Sequence, residues 1–210
     1  MSAEDEATGW FEPLYAAAAR GETGVPWDRG GPSPQLVAWA AARSLEGTGR
    51  RALVVGAGLG GDAEHVAGLG FDTLAFDISP TAIRLARERH PESRVTYAVA
   101  DLFAAPPEWA GAFDLVVENI TVQALPADVR PQAIRAIADT VAPGGTLLVL
   151  AAARDAGDPA DGPPWPLVRD EVEAFAAGGV EAVRIEDLRG MPPPWGRRWR
   201  AEFTRPRVGS

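Results

Sequence analysis

Cysteine is absent from the 210 residues, and so is lysine, since all twenty basic residues are arginine. Without cysteine the chain has no disulfide, no thiolate metal site and no cysteine nucleophile. Without lysine it cannot form a Tyr-x-x-x-Lys oxidoreductase dyad. Histidine is nearly as scarce. His65 and His90 fall in different helical segments, so no metal is expected. No apolar run approaches membrane length and the start, MSAEDE, is acidic, so neither a span nor a signal peptide is expected, and a cytoplasmic location is. Acid is in surplus. A net charge of −9 argues against a nucleic-acid backbone as partner.

What is present is a glycine-rich turn. Ala52 to Val55 reads as a buried strand, Gly56, Gly58, Gly60 and Gly61 follow, and a helical pattern begins at Ala63. Glycine lets the backbone turn where a β-carbon forbids it and lets a ligand approach, while the next helix offers free N–H groups. The loop alone is ambiguous. Gly56-x-Gly58-x-x-Gly61 fits a dinucleotide fingerprint, and Gly56-x-Gly58-x-Gly60 fits an S-adenosylmethionine loop. Asp77 closes the next strand, about 20 residues on, where its carboxylate can accept both hydroxyls of an adenosyl ribose. Asp101, at the end of the strand after that, is suited to the exocyclic amine of an adenine; the alternative is a turn cap. Two acids on successive strand ends favour S-adenosylmethionine as cofactor.

Along the chain, strands and helices alternate through Ala152, which implies an α/β fold with a mostly parallel sheet and helices on both faces. Helices are expected over Trp10–Arg20, Gln35–Leu45, Ala63–Leu69, Thr81–Arg89, Ala127–Val141 and Leu167–Ala177. Strands are expected over Asp72–Phe76, Arg94–Val99, Phe113–Val117 and Thr146–Ala152. The last two strands, Val180–Leu188 and Arg198–Arg205, suit an antiparallel hairpin. Residues 1–9 read as a flexible N-terminus and 10–207 as a single domain. The outline is Rossmann-like, with seven strands.

On these residues the chain resembles class I S-adenosylmethionine-dependent methyltransferases, and within them the thiopurine and halide/thiol methyltransferase group. The carriers are Pro26-Trp27-Asp28-x-Gly30-x-x-x-Pro34, Arg51 through Asp62, Phe76-Asp77-Ile78-Ser79, Phe113-Asp114-Leu115-Val116, Pro143-Gly144-Gly145 and Gly162-Pro163-Pro164. The match runs from about Trp10 to Leu188. It implies that residues 10–46 form an N-terminal helical lid over the cofactor. It places Tyr15 or Trp10 and Trp27 near the methionine half, Gly56, Ala57 and Gly58 against it, Asp77 and Ile78 at the ribose, and Asp101-Leu102 at the adenine. Glu118 and Asn119 would edge both cofactor and acceptor. The chain departs from that group in having Val55 and Ala57 around Gly56, and in the residues from Glu118 to Ala124.

Methyl transfer is an in-line displacement, so holding donor and acceptor in line in a dry pocket supplies much of the catalysis and no triad is needed. The expected acceptor is a small molecule with a thiol or an aromatic heteroatom, sulfur, nitrogen or oxygen. If it needs a base, Glu118 is the best candidate and Asp28 the second; otherwise Glu118 only hydrogen-bonds backbone or cofactor. Trp10, Trp165, Trp195 and Arg197 are candidates for the acceptor pocket. For the tryptophans rim packing is an equal alternative, and for the arginines a solvated hairpin face. An NAD-dependent oxidoreductase and a non-catalytic S-adenosylmethionine-binding protein are the competing readings. Neither membrane nor nucleic acid is expected as partner, and the chain is expected to be a monomer or homodimer.

Overall fold

The computed structural model describes residues 3–190 and 196–207. The chain divides into two compact units, residues 1–105 and 106–210.

The first unit contains α1 (Ala3–Thr8), α2 (Phe11–Ala19), α3 (Pro34–Ala42), β1 (Arg51–Val55), α4 (Gly61–Gly68), β2 (Asp72–Asp77), α5 (Pro80–Arg89) and β3 (Thr96–Val99). Where the sequence suggests a flexible start, Ala3–Thr8 is helical, and Ala7 is buried. The strands run parallel in the order β3-β2-β1. Val55 pairs with Phe76 and Asp77 with Val99, so the glycine loop and Asp77 leave neighbouring strands at the same end. Burial of Ala52 through Val55 explains why the segment is apolar throughout. The start of α5 is set by local chemistry. Ser79 Oγ accepts from the Ala82 amide at 3.0 Å, and Pro80 occupies the first turn.

The second unit contains β4 (Phe113–Asn119), α6 (Arg130–Asp139), β5 (Val141–Ala152), α7 (Arg169–Glu173), β6 (Glu181–Leu188) and β7 (Arg198–Thr204), in the strand order β4-β5-β7-β6. Strands β4 and β5 are parallel, whereas β7 is antiparallel to both β5 and β6, as the hairpin reading requires. Three elements differ from the sequence reading. Helix α6 is shorter than 127–141, ending at Asp139 so that Val141 already pairs with Phe113. Pro143-Gly144-Gly145 therefore lies inside β5, where a shift of register between Phe113 and Leu115 absorbs it. Helix α7 covers only Arg169–Glu173 and tightens into a 3₁₀ turn over Ala174–Gly178. The core is centred on β5, whose Leu147 to Ala151 are all buried, while β6 is a charged strand exposed over Glu181 to Arg184 and half-buried beyond.

Candidate functional site

The glycine loop after β1 uses left-handed backbone at Gly56, Gly58 and Gly60, with φ of 66°, 52° and 89°. Two of these positions are also sterically closed. A β-carbon on Gly58 would lie 3.2 Å from the Tyr15 hydroxyl and 3.7 Å from Trp27 Nε1. One on Gly60 would lie 2.3 Å from the Tyr97 hydroxyl and 3.1 Å from the His90 ring. The loop is thus walled by aromatic residues on one side and by Tyr97 and His90 on the other. His90 Nε2 lies 3.2 Å from the Leu59 carbonyl, and Tyr97 donates to Glu64 at 2.6 Å.

Asp77 is buried at the end of β2 and grips this loop. Its Oδ2 accepts from the Gly58 amide at 2.9 Å and its Oδ1 from the Ser79 amide at 3.0 Å. Burial pushes its carboxyl up, and the amides of Ser79, Gly58 and Ile78 oppose that shift. A carboxylate has about four lone-pair sites, so beside these amides there is room to accept from a ligand hydroxyl. Ile78 is half-buried beside it. Asp101 is half-buried at the end of β3, where Oδ1 accepts from the Phe103 amide at 2.9 Å and caps the 3₁₀ turn Leu102–Ala104; Leu102 is buried. The turn-cap role is therefore real, and it takes one of the two carboxyl oxygens.

Tyr15, on α2, is 1 % exposed and accepts a hydrogen bond from Trp27 Nε1 at 2.8 Å. Burial and the neighbouring Asp77 charge hold its phenol protonated well above the ordinary range. Trp10 stacks on Phe11 at 4.2 Å, and Trp27 meets Trp10, Phe11 and Tyr15 edge-on at 5.9, 6.2 and 6.0 Å. Trp10 thus belongs to the same cluster as Tyr15 and Trp27. Asp28, the second candidate base, forms a two-pronged pair with Arg89, each contact 2.9 Å, and accepts from the Gly30 amide. Arg89 holds its carboxyl below the usual range, which keeps it ionised and engaged.

In the second unit Glu118 is 1 % exposed at the end of β4. Its Oε1 accepts from the Val122 amide at 2.9 Å. Burial pushes its carboxyl up to about 7, against the Val122 and Thr121 amides and the charge of Arg198. Asn119 follows, half-buried, and then Ile120 takes a left-handed φ of 72°, a strained choice for a β-branched residue. The turn is tied down further along. Gln123 Oε1 accepts from the Ala152 amide at 2.7 Å, and its carbonyl accepts from the Trp165 amide at 2.8 Å. The Trp165 ring lies 5.8 Å from the guanidinium of Arg130, which donates to Leu125 and to Glu171. Arg197 is half-buried and spoken for: it donates to Asp187 at 2.8 and 2.9 Å and to Asp155 at 2.8 Å. Arg198, next on β7, is buried, and Trp199 is core, donating to the Leu167 carbonyl. Trp195 and Met191 lie outside the described residues.

The structure thus gathers Trp10, Tyr15, Trp27, Gly58 and Asp77, and it joins Glu118 to the turn that leads to Gln123 and Trp165. It engages Asp28 and Arg197 in ion pairs. Sequence reasoning missed Glu12, Arg89, Tyr97 and Gln123, none of which sits in a recognisable motif. Among the described residues no group of three or more His, Cys, Asp or Glu could hold a metal, and no helix is long and apolar enough to cross a membrane.

A glycine cradle after one parallel strand and a buried acid at the end of the next define an α/β protein that binds a nucleoside-bearing ligand. Known proteins narrow this. A family model described as a methyltransferase domain matches residues 52–145. Thiocyanate methyltransferase 1 of Brassica oleracea is 30% identical over 172 residues, covering 79% of this chain and 74% of its own. The ubiquinone biosynthesis O-methyltransferase of Xanthomonas axonopodis pv. citri (strain 306) is 35% identical over 133 residues, covering 59% of this chain. This chain spans only 54% of that relative's length. A solved structure from the conversion of a disulfide bond into a thioacetal group during echinomycin biosynthesis superposes with a TM-score of 0.74 at 27% identity, over 94% of each chain. The chain belongs to the class I S-adenosylmethionine-dependent methyltransferases. Its seven strands, mostly parallel and ending in an antiparallel hairpin, are the arrangement expected from the sequence.

Proposed function

We propose that the chain transfers a methyl group from S-adenosylmethionine to a sulfur, nitrogen or oxygen atom of a small thiol-bearing or aromatic acceptor. The observation that carries this reading is the cradle itself: three positive-φ glycines, of which Gly58 lies against Tyr15 and Trp27 and is gripped by Asp77. When bound, the cofactor supplies an electrophilic methyl group on a sulfonium. Gly56, Ala57 and Gly58 would hold its amino-acid end under Tyr15 and Trp27. Asp77 and Ile78 would hold the ribose, and Asp101 with Leu102 the adenine.

On the acceptor side, Glu118 takes the proton that a phenol or amine releases, because a carboxyl with a pKa about 7 exchanges protons readily at neutral pH. Asn119 positions the acceptor beside it, and Trp165 forms a wall of its pocket. The relatives' names favour a sulfur or oxygen acceptor, since one acts on thiocyanate and another is an O-methyltransferase. The thiopurine and halide/thiol group remains the preferred branch. The net charge of −9 favours a small acceptor over nucleic acid.

Titration calorimetry with S-adenosylhomocysteine, and with NAD as control, tests the cofactor. Wild type is expected to bind the adenosyl ligand, and Asp77→Ala to weaken binding by about 100-fold through loss of the ribose contact and the grip on Gly58. Binding of NAD in its place would overturn the reading. An acceptor screen of thiols and aromatic heterocycles then identifies the nucleophile.

A further inference from the structure

The aromatic cover of the first unit is held from an unexpected direction. Glu12, on α2 between Phe11 and Tyr15, reaches the start of α5. Its Oε2 accepts from Ser79 Oγ at 2.5 Å and from the Thr81 amide at 3.1 Å, and its Oε1 accepts from Thr81 Oγ1 at 2.6 Å. At the other end of α5, Arg89 grips Asp28, the residue after Trp27, through two contacts of 2.9 Å. One helix therefore clasps the cover twice, beside Tyr15 and beside Trp27. Ser79 completes the circuit. This fully buried residue donates its amide to Asp77 and its hydroxyl to Glu12, and caps α5 with the same oxygen.

We propose that Glu12 and the Asp28–Arg89 pair are positioning residues that clasp the segment 10–30 to α5 and, through Ser79, tie its closure to the ribose-binding acid Asp77. The inference rests on the reading above, in which an adenosyl ligand lies against Gly58 and Asp77. Its content is energetic. A ligand binds with an apparent affinity set by the fraction of molecules whose cover is closed, so loosening either clasp reduces affinity without touching a ligand-contacting group. The two clasps differ in kind. Glu12 receives three charge-assisted bonds in a part-buried site, where each is strong. The Asp28–Arg89 side chains are 26% and 38% exposed and open to salt screening.

The test measures S-adenosylhomocysteine binding by calorimetry together with amide hydrogen exchange. Glu12→Gln is expected to weaken binding by about tenfold and Asp28→Asn by about threefold. Both should raise exchange across residues 10–30. Reversing the pair with Asp28→Arg and Arg89→Asp together should restore affinity lost in either single change. Raising salt from 50 mM to 1 M should weaken wild-type binding and leave the affinity of Asp28→Asn nearly constant, a readout that needs no variant of the buried clasp to fold. A merely structural Glu12 would give the opposite pattern: faster exchange in α5 and a lower melting temperature, with residues 10–30 and ligand affinity unchanged. That pattern, or failure of the reversed pair to rescue, overturns the clasp and leaves the methyltransferase reading intact. Failure of wild type to bind the adenosyl ligand overturns the reading itself.

Discussion

The two units each bury one acid at the carboxyl end of a parallel strand, yet they surround it differently. Asp77 is held by amides of the glycine loop and of the turn into α5. Every partner there is main chain, fixed by left-handed glycines and a capped helix. Glu118 also accepts from main chain, the Val122 amide, but in a turn strained through Ile120, where burial outweighs the amides and raises its carboxyl to about 7. One acid is thus held by a glycine loop, the other by a turn that contains no glycine. Burial raises both carboxyls.

The largest effect should come from breaking the backbone half. In Gly60→Ala the new β-carbon meets the Tyr97 hydroxyl at 2.3 Å while the residue is held at a φ of 89°. Left-handed strain costs about 1–2 kcal/mol, and displacing Tyr97 from Glu64 adds a cost of about 1–3 kcal/mol. A loss near 4 kcal/mol in denaturant unfolding is expected, together with loss of adenosyl-ligand binding. Unchanged binding would mean that the loop does not need its left-handed turn.

Glu118→Gln sharpens the other half. If the carboxylate takes the acceptor's proton, wild-type turnover should climb as pH passes through about 7, and the variant should lose roughly 100-fold and show a flat profile. Stability should respond with its own sign. Below the ordinary pKa of 4.5 the carboxyl is protonated in both states. Between 4.5 and about 7 the unfolded chain releases the proton while the folded chain keeps it, so stability falls as pH rises through that window. The total is on the order of 3 kcal/mol. Gln can still accept from Val122 and carries no charge, so the variant should unfold at nearly the same denaturant concentration at pH 5 and pH 8. A wild type with equal stability at both would remove the raised pKa.

This contrast also explains what the sequence could reveal. The glycine loop, Asp77 and the Ser79-Pro80 helix start were legible because left-handed turns and caps restrict residue types locally. The alternation of strands and helices was legible from the period of the apolar residues. Glu12 was not, since nothing near Phe11 or Pro13 signals that its carboxylate will meet Ser79 and Thr81, 67 and 69 residues away. Asp28 was visible as an acid in a tryptophan-bearing loop, but its partner Arg89 lies 61 residues on, so the pair was not legible. Pro143-Gly144-Gly145 looked like a helix terminator and proved to be a bulge in β5, because pairing with β4 overrode the local breaker signal.

The smallest effect is expected at Arg197, and it separates pocket from surface. Its guanidinium is shared between Asp187 and Asp155, with the Trp199 ring 5.6 Å away, and Arg197, together with Arg189, holds Asp187 down to about 2. An arginine whose donors are committed to two carboxylates has little left with which to draw in a substrate acid. Arg197, Asp187 and Asp155 are 20%, 25% and 64% exposed, so both pairs are open to solvent and their loss costs little. Arg197→Ala should therefore change stability by less than about 1 kcal/mol and leave KM for carboxylated and neutral acceptors in the same ratio. A selective rise in KM for the carboxylated acceptors would show that substrate displaces Asp155 and that Arg197 belongs to the acceptor pocket after all. The second unit would then bind its ligand with side-chain charge, in sharper contrast to the backbone cradle of the first.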